Sequence, residues 1–180
     1  MLAADHDQLL QEVIDIAALT EYNRASLIPI LRMVKEKYRG IDSEAMQIIA
    51  DVVGIHPVEV HAVATFYSFL KPQTEGRVVF RLCRTLSCDL KGKQAIAEQL
   101  QRELGIGFGE TTDDEAFTLE WANCIGLCDQ GPAMLVNETA YTHLTPEKVS
   151  AIVAEYRAQL QAEAGDEALT EARTEVRAEA

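Results

Sequence analysis

Four cysteines in two pairs are the residues of this chain best suited to chemistry. Cys83 and Cys88 form a Cys-x4-Cys pair, Cys124 and Cys128 a Cys-x3-Cys pair, and 35 residues separate them. Paired thiols in a reducing compartment hold metal or do redox work more often than they form structural disulfides. Four thiolates suit a [2Fe–2S] centre, in which each iron is tetrahedral with two bridging sulfides and two cysteines. Two ferric irons, two sulfides and four thiolates sum to a dianion, and one-electron reduction makes a trianion. Such a charge needs hydrogen bonds and nearby positive groups. Arg84, Thr85 and Ser87 lie between the first two cysteines, and the N-terminus of the helix after Cys88 is expected to add oriented N–H groups. All-cysteine ligation predicts a low-potential carrier.

Other uses of four thiols stay open on spacing alone. Zinc also takes four cysteines, although structural zinc pairs are usually tighter and joined by a shorter ribbon. Thiol exchange is disfavoured because no Cys-x-x-Cys is present. A pure core role is the weakest reading. No nucleophile–base set, phosphate loop or dinucleotide fingerprint can be assembled from the remaining residues. The chain alone is therefore expected to transfer electrons and not to bind NAD.

The cysteines need loops to turn them inward and a sheet to fix the loop ends. Val78, Phe80 and Leu82 alternate with Arg77, Val79 and Arg81, a strand ending at Cys83. Phe117, Leu119 and Trp121 alternate again and lead to Cys124. Between them, residues 91–104 read as a helix with Ile96, Leu100 and Leu104 inward, and residues 105–115 as a glycine-rich, acidic loop. Ala133 to Val136 is a short strand, turned by Asn137-Glu138 into a partner at Ala140 to His143. Thr145-Pro146 caps a last helix carrying Val149, Ile152, Val153, Tyr156 and Leu160. The order β-α-β-β-β-α predicts a small mixed sheet with helices packed on it. Gly126 and Gly131 would let the backbone approach a bulky group. Pro132 stands directly before the expected strand Ala133 to Val136.

Upstream, residues 1–70 read as a helical bundle. A first helix covers 7–20. A second covers 24–38 on the stripe Leu27, Leu31, Val34 and Tyr38, with Pro29 in its first turn and Gly40 as its left-handed cap. Ser43 is the expected N-cap of the third helix, closed by Gly54. His56-Pro57 opens the fourth. Residues 71–76 read as a linker and 77–160 as the second domain. Residues 161–180 are rich in Ala and Glu without an apolar stripe, which predicts a disordered acidic tail. His56 and His61 are poorly placed to share a ligand, so capping or packing is expected of them. His143 is expected on the surface, Trp121 in a core or interface, and Phe66, Tyr67 and Phe69 chiefly in the core.

With 48% hydrophobic residues the chain can build one good core or two small ones. A net charge of −13 argues against nucleic-acid binding, which wants a basic face. No apolar run approaches the roughly 20 residues of a spanning helix, and Met1 to Leu10 shows no secretory pattern. A cytoplasmic protein with no membrane insertion is expected.

The segment Cys124-Ile-Gly-Leu-Cys128-Asp-Gln-Gly-Pro-Ala-Met-Leu-Val-Asn137 closely resembles the second cysteine segment of NuoE-type subunits of NADH:quinone oxidoreductase and their relatives in NAD-reducing or bifurcating hydrogenases and formate dehydrogenases. Ala64-Thr-Phe-Tyr-Ser-Phe69, Cys83-Arg-Thr-Leu-Ser-Cys88 with Gly92, and Gly109-Glu-Thr-Thr112 before Phe117-Thr-Leu-Glu120 match in the same order. The resemblance covers roughly residues 7–160 and departs at Thr112-Asp-Asp-Glu115, where a usual glycine is replaced. It implies an α+β chain: an N-terminal helical bundle, then a thioredoxin-like [2Fe–2S] ferredoxin domain. It implies one [2Fe–2S] cluster, with Cys83 and Cys88 on one iron and Cys124 and Cys128 on the other. It also implies a flavin- and NAD-binding (NuoF-like) partner carrying FMN, with further Fe–S subunits in the complex. The competing expectation is a zinc-stabilised interaction module.

Overall fold

The computed structural model describes residues 6–19 and 22–178, with side chains as far as Glu163. The chain divides into two compact units between Glu75 and Gly76.

The first unit is helical: α1 (His6–Ala18), α2 (Leu27–Tyr38), α3 (Ser43–Val53) and α4 (Pro57–Phe66). Apolar residues three and four apart turn one face of each helix inward. Leu9 and Val13 from α1, Ile30, Leu31 and Val34 from α2, and Ile49 from α3 share one core. Each such side chain contributes about 1.5–3 kcal/mol by leaving water. The expected stripe of α2 holds, but residues 24–26 form a 3-10 turn before the helix proper.

Two caps differ from expectation. Asp42, not Ser43, caps α3, its carboxylate accepting from the Ala45 N–H at 2.9 Å. Arg39, not Gly40, takes the left-handed position after α2, with φ 58°. Gly40 is needed for a different reason: a Cβ there would lie 3.0 Å from Thr74 Oγ1 and 3.1 Å from Thr74 Cα. His56 caps α4 through Nδ1, which accepts from the Val58 N–H at 3.2 Å, and Pro57 follows at the first helical position. Phe66 and Phe69 are exposed rather than core, while Tyr67 is half-buried between them.

The segment after α4 is tied down. The Lys35 ammonium donates to the Lys71 carbonyl at 2.7 Å and pairs with Glu75 at 3.0 Å, both charged side chains being largely buried (8% and 14% exposed). The Pro72 carbonyl accepts from the Ile41 N–H.

The second unit is a five-stranded sheet in the order β2-β3-β1-β4-β5: β1 (Val78–Cys83), β2 (Glu110–Thr111), β3 (Phe117–Ala122), β4 (Met134–Val136) and β5 (Thr139–Tyr141). β1 and β3 are parallel, and the other pairings are antiparallel. A single helical turn, α5 (Leu86–Asp89), follows β1. Helices α6 (Lys93–Leu104) and α7 (Pro146–Ala178) pack side by side on the face formed by Val78, Phe80 and Leu82. Alternation puts Arg81 on the opposite face, where it meets Glu120 at 3.3 Å.

The loop expected over 105–115 contains β2, a two-residue edge strand held by β3. At its turn Glu115 adopts φ 52°, the conformation a glycine would take freely, and Asp114 closes the turn by accepting from the Thr112 hydroxyl and the Ala116 N–H. β5 begins one residue earlier than expected and ends before His143, which is exposed. The backbone of α7 continues in helix to Ala178, past Gln161, where composition alone predicts disorder. Ala, Glu and Arg are strong helix formers and propagate a helix without an apolar stripe. The last two residues of the expected tail lie outside the described residues. Among the described residues, no single helix is long and apolar enough to cross a membrane.

Candidate metal centre

Both cysteine pairs sit at one end of the parallel β1–β3 ladder. Cys83 is the last residue of β1 and is paired in register with Ala122, the last residue of β3. One further hydrogen bond, Arg84 N–H to the Ala122 carbonyl at 2.9 Å, prolongs the ladder before the chains diverge. Parallel strands deliver their following loops to the same edge, so this topology brings together thiols far apart in sequence.

After Cys83 the chain turns through Arg84 and Thr85 into α5, which carries Cys88. Cys83 and Cys88 are buried (2% and 1% exposed), whereas Cys124 and Cys128 are exposed. The second loop reverses at Gly126, φ 85°, with open space where a Cβ would stand, so conformation and not crowding selects glycine there. Cys128 to Gln130 form a 3-10 turn. The Gly131–Pro132 bond is cis. The following segment is held against the end of β1, since the Ala133 carbonyl accepts from the Cys83 N–H at 3.1 Å.

Gly131 is selected by close approach. A Cβ on it would lie 3.3 Å from the Cys88 sulfur and 3.2 Å from Lys91 Cδ. The second loop therefore runs directly over the first pair. Within the second pair the Cys124 and Cys128 sulfurs are 3.3 Å apart. All four thiols are free. Among the described residues, no three His, Cys, Asp or Glu side chains converge on a single-ion position; the thiols come together as two pairs.

The donors around the sulfurs are backbone N–H groups and the hydroxyls of Thr85 and Ser87. Burial pushes the Cys83 thiol up, but hydrogen bonds from the Thr85 hydroxyl at 3.2 Å, the Thr85 N–H, Cys88 and the Ile125 N–H outweigh it, so the net displacement is downward. Cys88 is displaced upward, first by burial and then by its neighbour Cys83, against an opposing hydrogen bond from the Ala133 N–H. Cys128 is displaced upward chiefly by Cys124, with the Ser87 hydroxyl opposing and Cys83 close enough to add repulsion. The Thr85 and Ser87 hydroxyls stand beside the sulfurs, and Arg84 Nε donates to Asn123 Oδ1 at 3.2 Å, next to Cys124. The helix that follows Cys88 is interrupted. Gly92 separates α5 from α6, which begins at Lys93, and the N–H groups of Thr85, Ile125 and Ala133 point at the thiols. Residue types do not reveal which way a backbone N–H points, so these donors have no sequence signal.

Trp121 is not a core residue. It is 37% exposed, stacked on Phe108 at 3.7 Å with rings 9° from parallel, and the Lys93 ammonium stands 5.4 Å from its ring centre.

The donor set fits a binuclear iron–sulfide group. Thiols in two pairs, N–H groups from three separate segments directed at the sulfurs, and a glycine without which the approach to Cys88 closes are what a compact anionic group of that size needs.

The sequence matches the family model of the thioredoxin-like [2Fe–2S] ferredoxin over residues 12–157. It is 40% identical over 134 residues to a subunit of NADH-quinone oxidoreductase from Escherichia coli (strain K12), covering 74% of this chain and 81% of that protein. It is 36% identical over 144 residues to NADH-quinone oxidoreductase subunit 2 of Thermus thermophilus, covering 79% of this chain and 80% of that one. Among solved structures, NAD+-reducing [NiFe]-hydrogenase in the H2-reduced state superposes with a TM-score of 0.67 at 25% identity, over 74% of this chain and 22% of that chain. This chain thus corresponds to roughly a fifth of that hydrogenase chain. From Glu12 to Arg157 the chain belongs to the thioredoxin-like [2Fe–2S] ferredoxin family, and a [2Fe–2S] cluster is its cofactor.

Proposed function

We propose that this chain is the electron-transfer subunit of a multi-subunit NAD(P)-linked oxidoreductase, of the complex I, hydrogenase or formate dehydrogenase type. Its [2Fe–2S] cluster would be held by Cys83 and Cys88 on one iron and by Cys124 and Cys128 on the other. The observation that carries this reading is the register of Cys83 with Ala122, which puts two cysteine loops side by side at one sheet edge. A zinc site would need its thiolates around one point, whereas the two close pairs, Cys83 with Cys88 and Cys124 with Cys128, match the two-and-two ligation of a binuclear centre.

When bound, the cluster supplies one-electron uptake and release. The chain's own residues do the rest. Cys83 and Cys88 bind from the buried side, where β1 and α5 hold their positions. Thr85, Ile125 and Ala133 direct N–H groups at the sulfurs and offset negative charge that burial would otherwise penalise. Cys124 and Cys128 lie on the solvent side, so electrons enter and leave through the second loop. The natural neighbour is a flavin- and NAD-binding NuoF-like subunit, reached in the cytoplasm together with other Fe–S subunits. In this reading residues 77–160 hold the cluster.

Metal analysis and spectroscopy of natively expressed protein test this directly. The expected outcome is two irons and two sulfides per chain, visible charge-transfer absorption, and an EPR signal after reduction. Cys124→Ser should weaken or reshape that signal. Colourless protein with stoichiometric zinc would overturn the assignment.

A further inference from the structure

Lys91 ties the two cysteine loops together. Its own N–H donates to the Cys88 carbonyl at 3.2 Å. Its stem passes Gly131, whose Cβ would meet Lys91 Cδ at 3.2 Å and the Cys88 sulfur at 3.3 Å. Its ammonium donates to the Cys128 carbonyl at 3.1 Å and to the Asp129 carbonyl at 2.5 Å. One residue is thus bonded to the backbone of a cysteine from each pair. The carbonyls met by the ammonium belong to the 3-10 turn Cys128–Gln130, whose end leaves acceptors that need donors.

We propose that Lys91 is a positioning and potential-setting residue for the cluster. It would fix the second loop over the first and raise the reduction potential through its charge. This deepens the reading that Cys83, Cys88, Cys124 and Cys128 hold the cluster, and rests on it. One-electron reduction takes the centre from dianion to trianion, so a neighbouring cation stabilises the reduced form more than the oxidised one.

Other charges also stand near the cysteine loops, and the Arg84 guanidinium, bonded to the neutral amide of Asn123, keeps its full charge. Asp89 pairs with Lys93 at 3.1 Å. Asp129 carries an opposing carboxylate on the same turn. Lys91 is exposed, so salt and solvent limit its effect.

The test is a dithionite-poised redox titration of the full-length, cluster-loaded chain, followed by EPR, in wild type and in Lys91→Met, Lys91→Gln and Lys91→Arg. Met keeps the stem without charge or donor, Gln keeps a donor without charge, and Arg keeps both. Met and Gln should lower the reduced-to-oxidised ratio at fixed poise by up to about tenfold, a negative shift of up to about 59 mV for a one-electron couple. Arg should stay near wild type. Wild-type potential in Met and Gln overturns the proposal. So does a shift in Met alone, which would make the hydrogen bonds and not the charge responsible. Loss of the cluster from both variants with helix content intact overturns the potential-setting role and leaves Lys91 as the tie between the loops. If wild type itself binds no iron, the function reading fails first, and the two failures are told apart by iron content.

Discussion

Cys83 and Ala122 are register partners across the parallel β1–β3 ladder, and that pairing determines where every thiol of the chain can go. A slip of one residue would turn Cys83 to the other face of the sheet and separate it from the second loop. The site depends on ladder register before it depends on any loop residue.

Gly131→Ala tests the cradle. The added methyl would stand 3.3 Å from the Cys88 sulfur, tighter than ordinary contact, and 3.2 Å from the flexible Lys91 stem. Lys91 can move aside; Cys88, buried in α5, cannot. The variant should fold with wild-type helix content and load less cluster. Iron per chain and visible absorbance per chain are the measurements, and full loading would show that the approach is looser than the geometry implies.

Much of the fold is legible in the sequence, and the misses share a cause. The stripes of α2 and α6 and the alternation of β1 and β3 repeat over several residues, so each assignment rests on more than one position. Caps rest on single residues: Gly54 and His56 fall where expected, and two others are off by one. Asp42 and Ser43 both favour N-caps, and only the bond to Ala45 decides between them. Gly40 has the residue type of a left-handed cap but answers to Thr74, a neighbour that local propensity does not contain. β2 is two residues long and exists only because β3 lies beside it. At the site, the cysteine ligand types can be read from spacing, but the N–H donors and the reach of Lys91 are tertiary.

Asn137 should be among the most sensitive turn residues. It occupies φ 51° between β4 and β5, its Oδ1 accepts from the Val79 N–H at 2.8 Å, and its Nδ2 faces the Arg77 carbonyl at 3.4 Å. Asn137→Gly keeps the backbone conformation and loses the Val79 bond, costing about 1 kcal/mol. Asn137→Ala loses the bond and adds left-handed strain, for a total of about 2–3 kcal/mol. Urea denaturation should rank wild type above Gly above Ala. A more stable Ala than Gly variant would remove the conformational argument.

Gly76→Ala should destabilise the ferredoxin unit. A Cβ at this position would lie 2.8 Å from the Phe117 backbone N and C atoms, which cannot rotate away as a side chain can. The Gly76 N–H also donates to the buried Thr118 hydroxyl at 2.7 Å, a bond that any displacement would break. Overpacking of this kind costs about 1–3 kcal/mol. A lower denaturation midpoint, read from tryptophan fluorescence because Trp121 belongs to this unit, is the expected result. An unchanged midpoint would mean that β3 gives way freely.

Glu12 links α1 to α2 and should give the helical unit a pH-dependent stability. Its carboxylate accepts from the Lys37 ammonium at 2.7 Å and from the Tyr38 hydroxyl, and the Gln8 amide donates to it at 3.0 Å. The Lys37 bond first, then those from Tyr38 and Gln8, lower its pKa from 4.5 to about 2. A carboxylate depressed in the folded state contributes stability that is fully present above its unfolded pKa and lost as pH falls through the folded one. The loss should therefore run from pH 4.5 down to about 2. Tyr38 behaves in the opposite sense: burial first, then Glu12, raises it from 10.0 to about 12. Its contribution is present below pH 10.0 and lost as pH rises through about 12. Urea midpoints followed by helix circular dichroism should fall more steeply below pH 4.5 in wild type than in Glu12→Gln, because the variant has already lost the titrating bond. Tyr38→Phe should likewise flatten the alkaline limb. Parallel pH profiles for wild type and Glu12→Gln would mean that the exposed Lys37 partner is too well screened for the link between α1 and α2 to matter.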